Sequence, residues 1–249
     1  MFDVEPLTRN CGTLLPQASH ICIGVSPFNS YFSTERLTAL AEWALAEFDS
    51  CHFFIPDTAA AYTLEALGYA PGRARHKAQR QGQYVHNKVA TALRTLDVPE
   101  PHDLILGLER LGTESRYCEL LNEANALFEW DASFRAACLE ASHWVLDRKL
   151  PPGTEPTDDQ LLLAVRYFLA ELPLFADSGG IVGTSRSMFV YHQPVSFLER
   201  FYARGLTLTP ADGQGFLVVR EQDRGPAPER EREAGADSRL RQAAGVNRR

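Results

Sequence analysis

Four short apolar runs punctuate the chain: HICIGV (20–25), CHFFIP (51–56), DLILGL (103–108) and SMFVYH (187–192). They are rich in Ile, Val and Phe, and most are closed by Pro or Gly, which predicts strands buried on both faces. Between the runs, apolar positions recur at helical spacing. Ser33-Thr-Glu-Arg opens one helix, with Ser33 as its cap and Leu37, Leu40, Ala41 and Ala44 on a single face up to Phe48. Further helices are expected near 73–96, 113–129, 131–148 and 157–172, the last ending before Pro173, and Pro151-Pro152-Gly153 marks a loop. Strand and helix in alternation predict an α/β fold with a parallel sheet covered by helices, whose ligands gather at the carboxyl ends of the strands.

Composition sets the limits of this picture. The 249 residues are 45% hydrophobic and 23% charged, enough for one large globular domain. No repeat or long linker divides residues 1–220, so they are expected to form one catalytic domain. Residues 221–249 carry seven Arg and six acids but only Leu240 and Val246 as large aliphatics, and are expected to be a disordered charged tail. No run approaches the length of a membrane span, and residues 1–20 lack the features of a secretory signal. The expectation is a cytoplasmic protein with no membrane partner. Cys11, Cys22, Cys51, Cys118 and Cys138 contain no CxxC pair, so neither a disulfide framework nor a metal is expected.

Charge changes the picture in one segment. The chain carries a net charge of −7, yet no acid stands between Ala66 and Leu96, where Arg73, Arg75, Lys77, Arg80, Lys88 and Arg94 lie. At 100° per residue, Arg73, Lys77, Arg80, Tyr84 and Lys88 fall within about 80° of one another, with Val85, Val89, Ala92 and Leu96 on a separate stripe. This is either a solvated helix face or a surface for nucleic-acid phosphates, one that would carry no base readout.

Three places could carry chemistry. Ser26 follows the first strand in Gly24-Val25-Ser26-Pro27-Phe28-Asn29, where it either turns the chain or acts as a nucleophile, and Gly24 lets another group approach the backbone. A hydrolase elbow is excluded, because Phe28 stands where G-x-S-x-G needs its last glycine. Neither G-x-G-x-x-G nor a P-loop is present, which argues against a dinucleotide oxidoreductase or an NTP site. Tyr167 and Glu171 are four apart on a helix, as an ordinary surface pair or as an anchor for a cation. Tyr191 and His192 end the strand at 187–192, on the edge expected for Ser26.

HICIGVSPFN (20–29), YFLAELP (167–173) and VYHQP (190–194) together resemble the cyclodipeptide synthases, and the resemblance runs in order across nearly all of 20–200 but not the tail. It implies a Rossmann-like domain similar to the catalytic domain of class I aminoacyl-tRNA synthetases, with helices on both faces. It also implies an aminoacyltransferase that joins the amino acids of two aminoacyl-tRNAs into a diketopiperazine, without ATP, metal or other cofactor. By the same resemblance Ser26 is the nucleophile, Tyr167 and Glu171 hold the substrate ammonium, and Tyr191 takes part in proton transfer. Asn29 and His192 match supporting positions. Cys22, Gly24, Phe54, Leu108, Leu174 and Phe189 match the first aminoacyl pocket, where two phenylalanines suggest a small apolar first residue such as alanine. Arg73, Lys77, Arg80 and Lys88 are the residues expected to bind tRNA.

The expected reaction is ping-pong. Ser26 takes the first aminoacyl group, the second aminoacyl-tRNA offers its amine to the seryl ester to give a dipeptidyl-serine, and the free amino terminus then closes the ring. Two other functions remain open: a serine esterase or aminoacyl-tRNA hydrolase, in which water resolves the same ester, and a non-catalytic RNA-binding protein. Nothing in the pattern separates a monomer from a homodimer.

Overall fold

The computed structural model describes residues 2–222. Six strands form one sheet: β1 (Phe2–Pro6), β2 (His20–Gly24), β3 (Ser50–Ile55), β4 (Ile105–Gly107), β5 (Ser187–Tyr191) and β6 (Gln214–Glu221), in the order β1-β6-β5-β2-β3-β4. All neighbours are parallel except β1, which runs antiparallel to β6 with Phe2 opposite Glu221. The helices are α1 (Arg9–Leu14), α2 (Thr34–Glu47), α3 (Ala60–Ala66), α4 (Pro71–Thr95), α5 (Leu108–Leu111), α6 (Ser115–Trp130), α7 (Ala132–Asp147), α8 (Asp158–Val182) and α9 (Ser196–Tyr202). One group, α2 and α4, packs together and against β3. A second, α6 to α8, packs together, and α8 lies against β2, β5 and β6.

The four apolar runs are the parallel strands β2, β3, β4 and β5, with β4 at the sheet edge, and they are largely buried because helices cover both faces of the sheet. Ile21, Ile23, Phe53, Phe54, Phe189 and Phe216 are among the fully enclosed residues, each contributing about 1.5–3 kcal/mol of burial. Ser33 caps α2 by accepting from the Arg36 amide, as its sequence predicts.

Three expectations are corrected. First, β1 and β6 join the sheet, so it is mixed rather than wholly parallel. Folded structure also runs to Glu221, the first residue of the expected tail, while 223–249 lie outside the described residues. Second, the third run yields only three strand residues, because Pro101–Leu104 takes up a 3₁₀ turn. Third, α8 does not stop before Pro173 but continues to Val182, breaking at Asp177 with φ −162° and ψ 59°. Leu172, Pro173, Leu174, Phe175 and Ala176 are all buried, and that packing outweighs the hydrogen bond proline cannot donate. The Tyr117 hydroxyl donates to the Ala170 carbonyl at 2.9 Å beside it. At the break, Asp177 Oδ1 accepts from the Gly180 amide and Oδ2 from Arg116 Nε, both at 2.8 Å.

Strand order decides where the site falls. From β2 the chain adds β3 and β4 on one side, then crosses to place β5 and β6 on the other, so order reverses between β2 and β5. Their carboxyl ends therefore splay around a crevice. At the opposite end the register is locked. His20 opposes Ser187 and meets its hydroxyl through Nδ1 at 2.7 Å, and His20 Nε2 meets His52 Nδ1 at 2.9 Å. Ser178 and Gln214 complete this buried network. A slip of one residue would break it, and would also move Tyr191 away from Ser26.

Candidate active site

Ser26 stands two residues beyond β2, and Tyr191 ends β5 across the crevice; their hydroxyls are 2.9 Å apart. Gly24 makes this approach possible. A Cβ at that position would lie 2.8 Å from Cζ of Phe189 and 3.5 Å from Cδ2 of Tyr191. Asn29 sits behind the pair, its amide nitrogen 3.5 Å from the Tyr191 hydroxyl and 3.0 Å from His192 Nε2. Its Oδ1 accepts from the Tyr31 amide at 3.0 Å, which fixes the amide's orientation. With Asn29 donating, Nε2 of His192 is an acceptor and the ring proton sits on Nδ1. Burial, and then the Arg36 charge, lower the imidazole to about 4, so it stays neutral.

Tyr167 and Glu171 project from α8, one turn apart, into the same space. Burial pushes the Glu171 carboxyl up to about 8, against the smaller effect of a hydrogen bond from Tyr167. Among the described residues Glu171 makes no ion pair, so nothing compensates its charge. Tyr167 is raised well above the usual phenol range, first by burial and then by the Glu171 carboxylate and Tyr191. Tyr191 is raised by burial, while its hydrogen bond with Ser26 opposes the shift.

All four groups line one cavity of about 650 Å³, whose apolar wall includes Phe168, Phe175, Phe189 and Phe216. Of the six residues matched to a first aminoacyl pocket, Gly24 and Phe189 line it. Cys22, Phe54 and Leu174 are buried behind that wall, Phe54 meeting Phe189 edge-on at 6.5 Å, and Leu108 begins α5 away from the cavity. The expectation of a small first residue needed Phe54 and Phe189 both narrowing the pocket; one of the two reaches it.

On α4, Arg73 and Arg80 are exposed, whereas Lys77 and Lys88 turn inward. Lys77 lines the cavity and donates to the Tyr69 hydroxyl at 2.9 Å. Lys88 donates to the Phe32 carbonyl at 3.1 Å, tying the helix to the loop that carries Asn29. That tie commits its ammonium to the protein.

Sequence reasoning missed Phe28 and Tyr31 in that loop and Arg36 in the first turn of α2. Tyr31 stacks on His192, Arg36 lies 4.4 Å over the Tyr31 ring and donates to its carbonyl at 2.9 Å, and Phe28 lines the cavity with φ +63°. The signal was present as aromatics inside a short polar loop between Ser26 and the Ser33 cap. Among the described residues, no group of three or more His, Cys, Asp or Glu is arranged to hold a metal. No helix among them is long and apolar enough to cross a membrane.

The sheet is Rossmann-like, and a hydroxyl pair, a second phenol and an uncompensated carboxyl meet at its switch point, a candidate site for hydroxyl-centred chemistry. The family model described as cyclodipeptide synthase matches residues 2–221, so the chain belongs to that family and is an enzyme that forms cyclic dipeptides. It is 34% identical over 218 residues to a cyclo(L-tyrosyl-L-tyrosyl) synthase of Mycobacterium tuberculosis, covering 88% of this chain and 75% of that one. It is 29% identical over 224 residues to a cyclo(L-leucyl-L-leucyl) synthase of Bacillus subtilis, covering 88% and 90%. A crystal structure of a cyclodipeptide synthase from Bacillus thermoamylovorans superposes with a TM-score of 0.83 at 30% identity, covering 89% of this chain and 97% of that one. A Mycobacterium tuberculosis structure superposes at 0.79 with 32% identity, covering 89% and 94%. It is described as demonstrating that cyclodipeptide synthetases are related to type I tRNA synthetases.

Proposed function

We propose that the enzyme draws both amino acids from aminoacyl-tRNAs and passes them through esters on Ser26. The observation that carries this reading is the 2.9 Å contact of the Ser26 and Tyr191 hydroxyls in a cavity that also holds the unpaired Glu171 carboxyl. A substrate ammonium supplies the positive charge that carboxyl lacks, and a charge-assisted hydrogen bond then orients the amino acid. The ester of an aminoacyl-tRNA is already activated, so exchange with a serine ester is close to thermoneutral and needs only positioning and proton transfer.

In the first step Ser26 Oγ bonds to the ester carbonyl, the carbonyl–ribose bond breaks, and the serine proton ends on the ribose oxygen. Tyr191 is the relay within reach. The second step runs opposite to the direction expected from sequence. An incoming amine that attacked the seryl ester would free Ser26 and leave the dipeptide on the RNA. A dipeptidyl-serine requires the amine of the seryl-bound residue to attack the second tRNA ester, forming the peptide bond and releasing the second ribose. The new amino terminus then attacks the seryl ester, closing the ring and returning Oγ to Ser26. Each attacking amine first loses a proton. Glu171, at about 8, is matched to an α-amino group near 7.7–8.0, so that exchange costs little.

We further propose an apolar first residue held against Phe189, Phe175 and Phe168, and phosphate contacts from Arg73 and Arg80. The test combines charged tRNA, wild type or Ser26→Ala, and intact-mass analysis. Wild type should show an aminoacyl adduct and a diketopiperazine, and the variant neither. Free amino acid in place of the diketopiperazine would favour a hydrolase.

A further inference from the structure

Phe28 stands in a position that penalises it twice. Pro27 and Phe28 occupy the two central places of the turn after Ser26, the pattern of a type II turn, whose third residue takes positive φ and is ordinarily glycine. Phe28 holds φ +63°, and the residue remains 39% exposed. Tyr31 and Phe32, its neighbours along the loop, pack on each other and on His192, but Phe28 takes no part in that cluster. Its ring lines the cavity instead, with the Lys77 ammonium 5.8 Å from its centroid. Glycine would remove both the backbone strain and the exposed apolar face, and the Lys77 contact, at the outer limit of cation–π range, offsets little of either, which points to a partner outside this chain.

Resting on the acyl-serine reading above, we propose that Phe28 is the stacking platform for the terminal nucleobase of the RNA carrier, with Lys77 beside it facing the nucleotide's phosphate. Only Pro27 separates Phe28 from Ser26, which puts their Cα atoms within about 7 Å. The ribose that carries the ester bridges that interval: its acylated hydroxyl meets Ser26 and its base lies toward Phe28. An aromatic face accepts a base without reading its edge, which suits an enzyme whose substrates differ in amino acid but share a terminal adenosine. Base and loop gain together, since the stacked ring is no longer exposed to water.

The probes are 3′-O-aminoacyl-adenosines carrying alanine, leucine or tyrosine, and the matching esters of the base-free sugar. The readout is the rate of Ser26 acylation by intact mass. Wild type should prefer the adenosine esters roughly tenfold or more, Phe28→Gly should reduce that preference to near unity, and Phe28→Tyr should keep it. Phe28→Gly should melt no lower than wild type, because it relieves a positive φ. A wild type without preference, or a Phe28→Gly enzyme that retains it, overturns the platform and leaves the acyl-serine standing. A wild type acylated by none of the esters overturns the acyl-serine reading and the platform with it.

Discussion

Tyr31 lies flat against His192, the ring centroids 4.0 Å apart and the planes 11° from parallel. Arg36 covers the other side of the stack at 4.4 Å from the Tyr31 centroid and is ion-paired to Glu221 at the end of β6. The stack therefore links the last strand to Asn29, and through Asn29 to the Ser26–Tyr191 pair. The groups facing His192 are Asn29, Tyr31, Phe32 and Tyr191, and Arg36 is the charge that acts on it. Replacing Arg36 by Met removes a positive charge that holds the imidazole down, so His192 should titrate above its present value of about 4. The imidazole titration of His192, followed by NMR, should move to higher pH, and kcat at neutral pH should fall roughly 10- to 100-fold. A His192 titration that stays in place would assign Arg36 a purely structural role.

Glu171 is held where its charge is costly. Its folded value, about 8, lies above the ordinary 4.5, so the folded state binds the proton more tightly and loses stability as pH rises from 4.5 toward 8. Glu171→Gln removes that loss. The variant should be more stable than wild type by up to about 4 kcal/mol at pH 8, with little difference at pH 4.5. It should also lose roughly 100-fold or more in kcat/KM, because the ammonium has no carboxylate to meet. Urea titrations at the two pH values, beside product assays, check both halves.

The strands β2 to β5, the α2 cap and the meeting of Ser26, Tyr167, Glu171 and Tyr191 in one cavity were legible because each has a local signature: an unbroken apolar run, a Ser-x-x-Arg start with a helical face, or a short motif at a strand or helix end. β1 and β6 were not. Phe2 pairs with Glu221, and no local pattern announces a partner so far along the chain. β1 also alternates Asp3 and Glu5 with apolar residues, which weakens a five-residue signal. The continuation of α8 through Pro173 was hidden because proline's propensity is local, whereas the burial that overrides it is tertiary. The pocket wall failed for a related reason. Phe54 and Phe189 occur in similar apolar strands, and only packing shows that one screens the other from the cavity.

The basic residues of α4 divide by exposure. Arg73 and Arg80 are exposed, whereas Lys88 is spent on the Phe32 carbonyl. Replacing both arginines by Gln should weaken tRNA binding and lower the slope of log K against log salt by roughly 1–2, with stability unchanged. Lys88→Met should instead lower thermal stability and kcat, because it frees the loop that carries Asn29. Filter binding at several salt concentrations separates the two effects, and an unaltered slope in the double arginine variant would remove this face from RNA binding.

At the far end of the sheet, His20 is fully enclosed, and burial, with the neighbouring His52, lowers it to about 3. An unfolded histidine titrates near 6.5, so between pH 6.5 and 3 the unfolded chain takes up a proton that folded His20 refuses. Stability is intact above 6.5 and lost as pH falls, by about 2 kcal/mol between pH 7 and 5 from this residue alone. His20→Gln should be less stable at pH 7, since the hydrogen bond to Ser187 is altered, yet should lose less on acidification. Denaturant midpoints at pH 7 and 5 for both proteins give the comparison, and parallel losses would mean that His20 titrates normally in the fold.

Gly24 couples fold to specificity. An alanine Cβ would stand 2.8 Å from Cζ and 2.9 Å from Cε1 of Phe189, closer than packing allows, with Cδ2 of Tyr191 at 3.5 Å as the next neighbour. Phe189 is backed edge-on by Phe54 and Phe175 and stacked on Phe216, so its easiest movement is into the cavity. Gly24→Ala should therefore cost about 1–3 kcal/mol of stability and shrink the space beside Ser26. The loss of acylation rate should be greatest for the bulkiest aminoacyl donors, shifting preference from tyrosyl or leucyl toward alanyl. A uniform loss across donors would mean that the added methyl disturbs Tyr191 rather than the pocket wall.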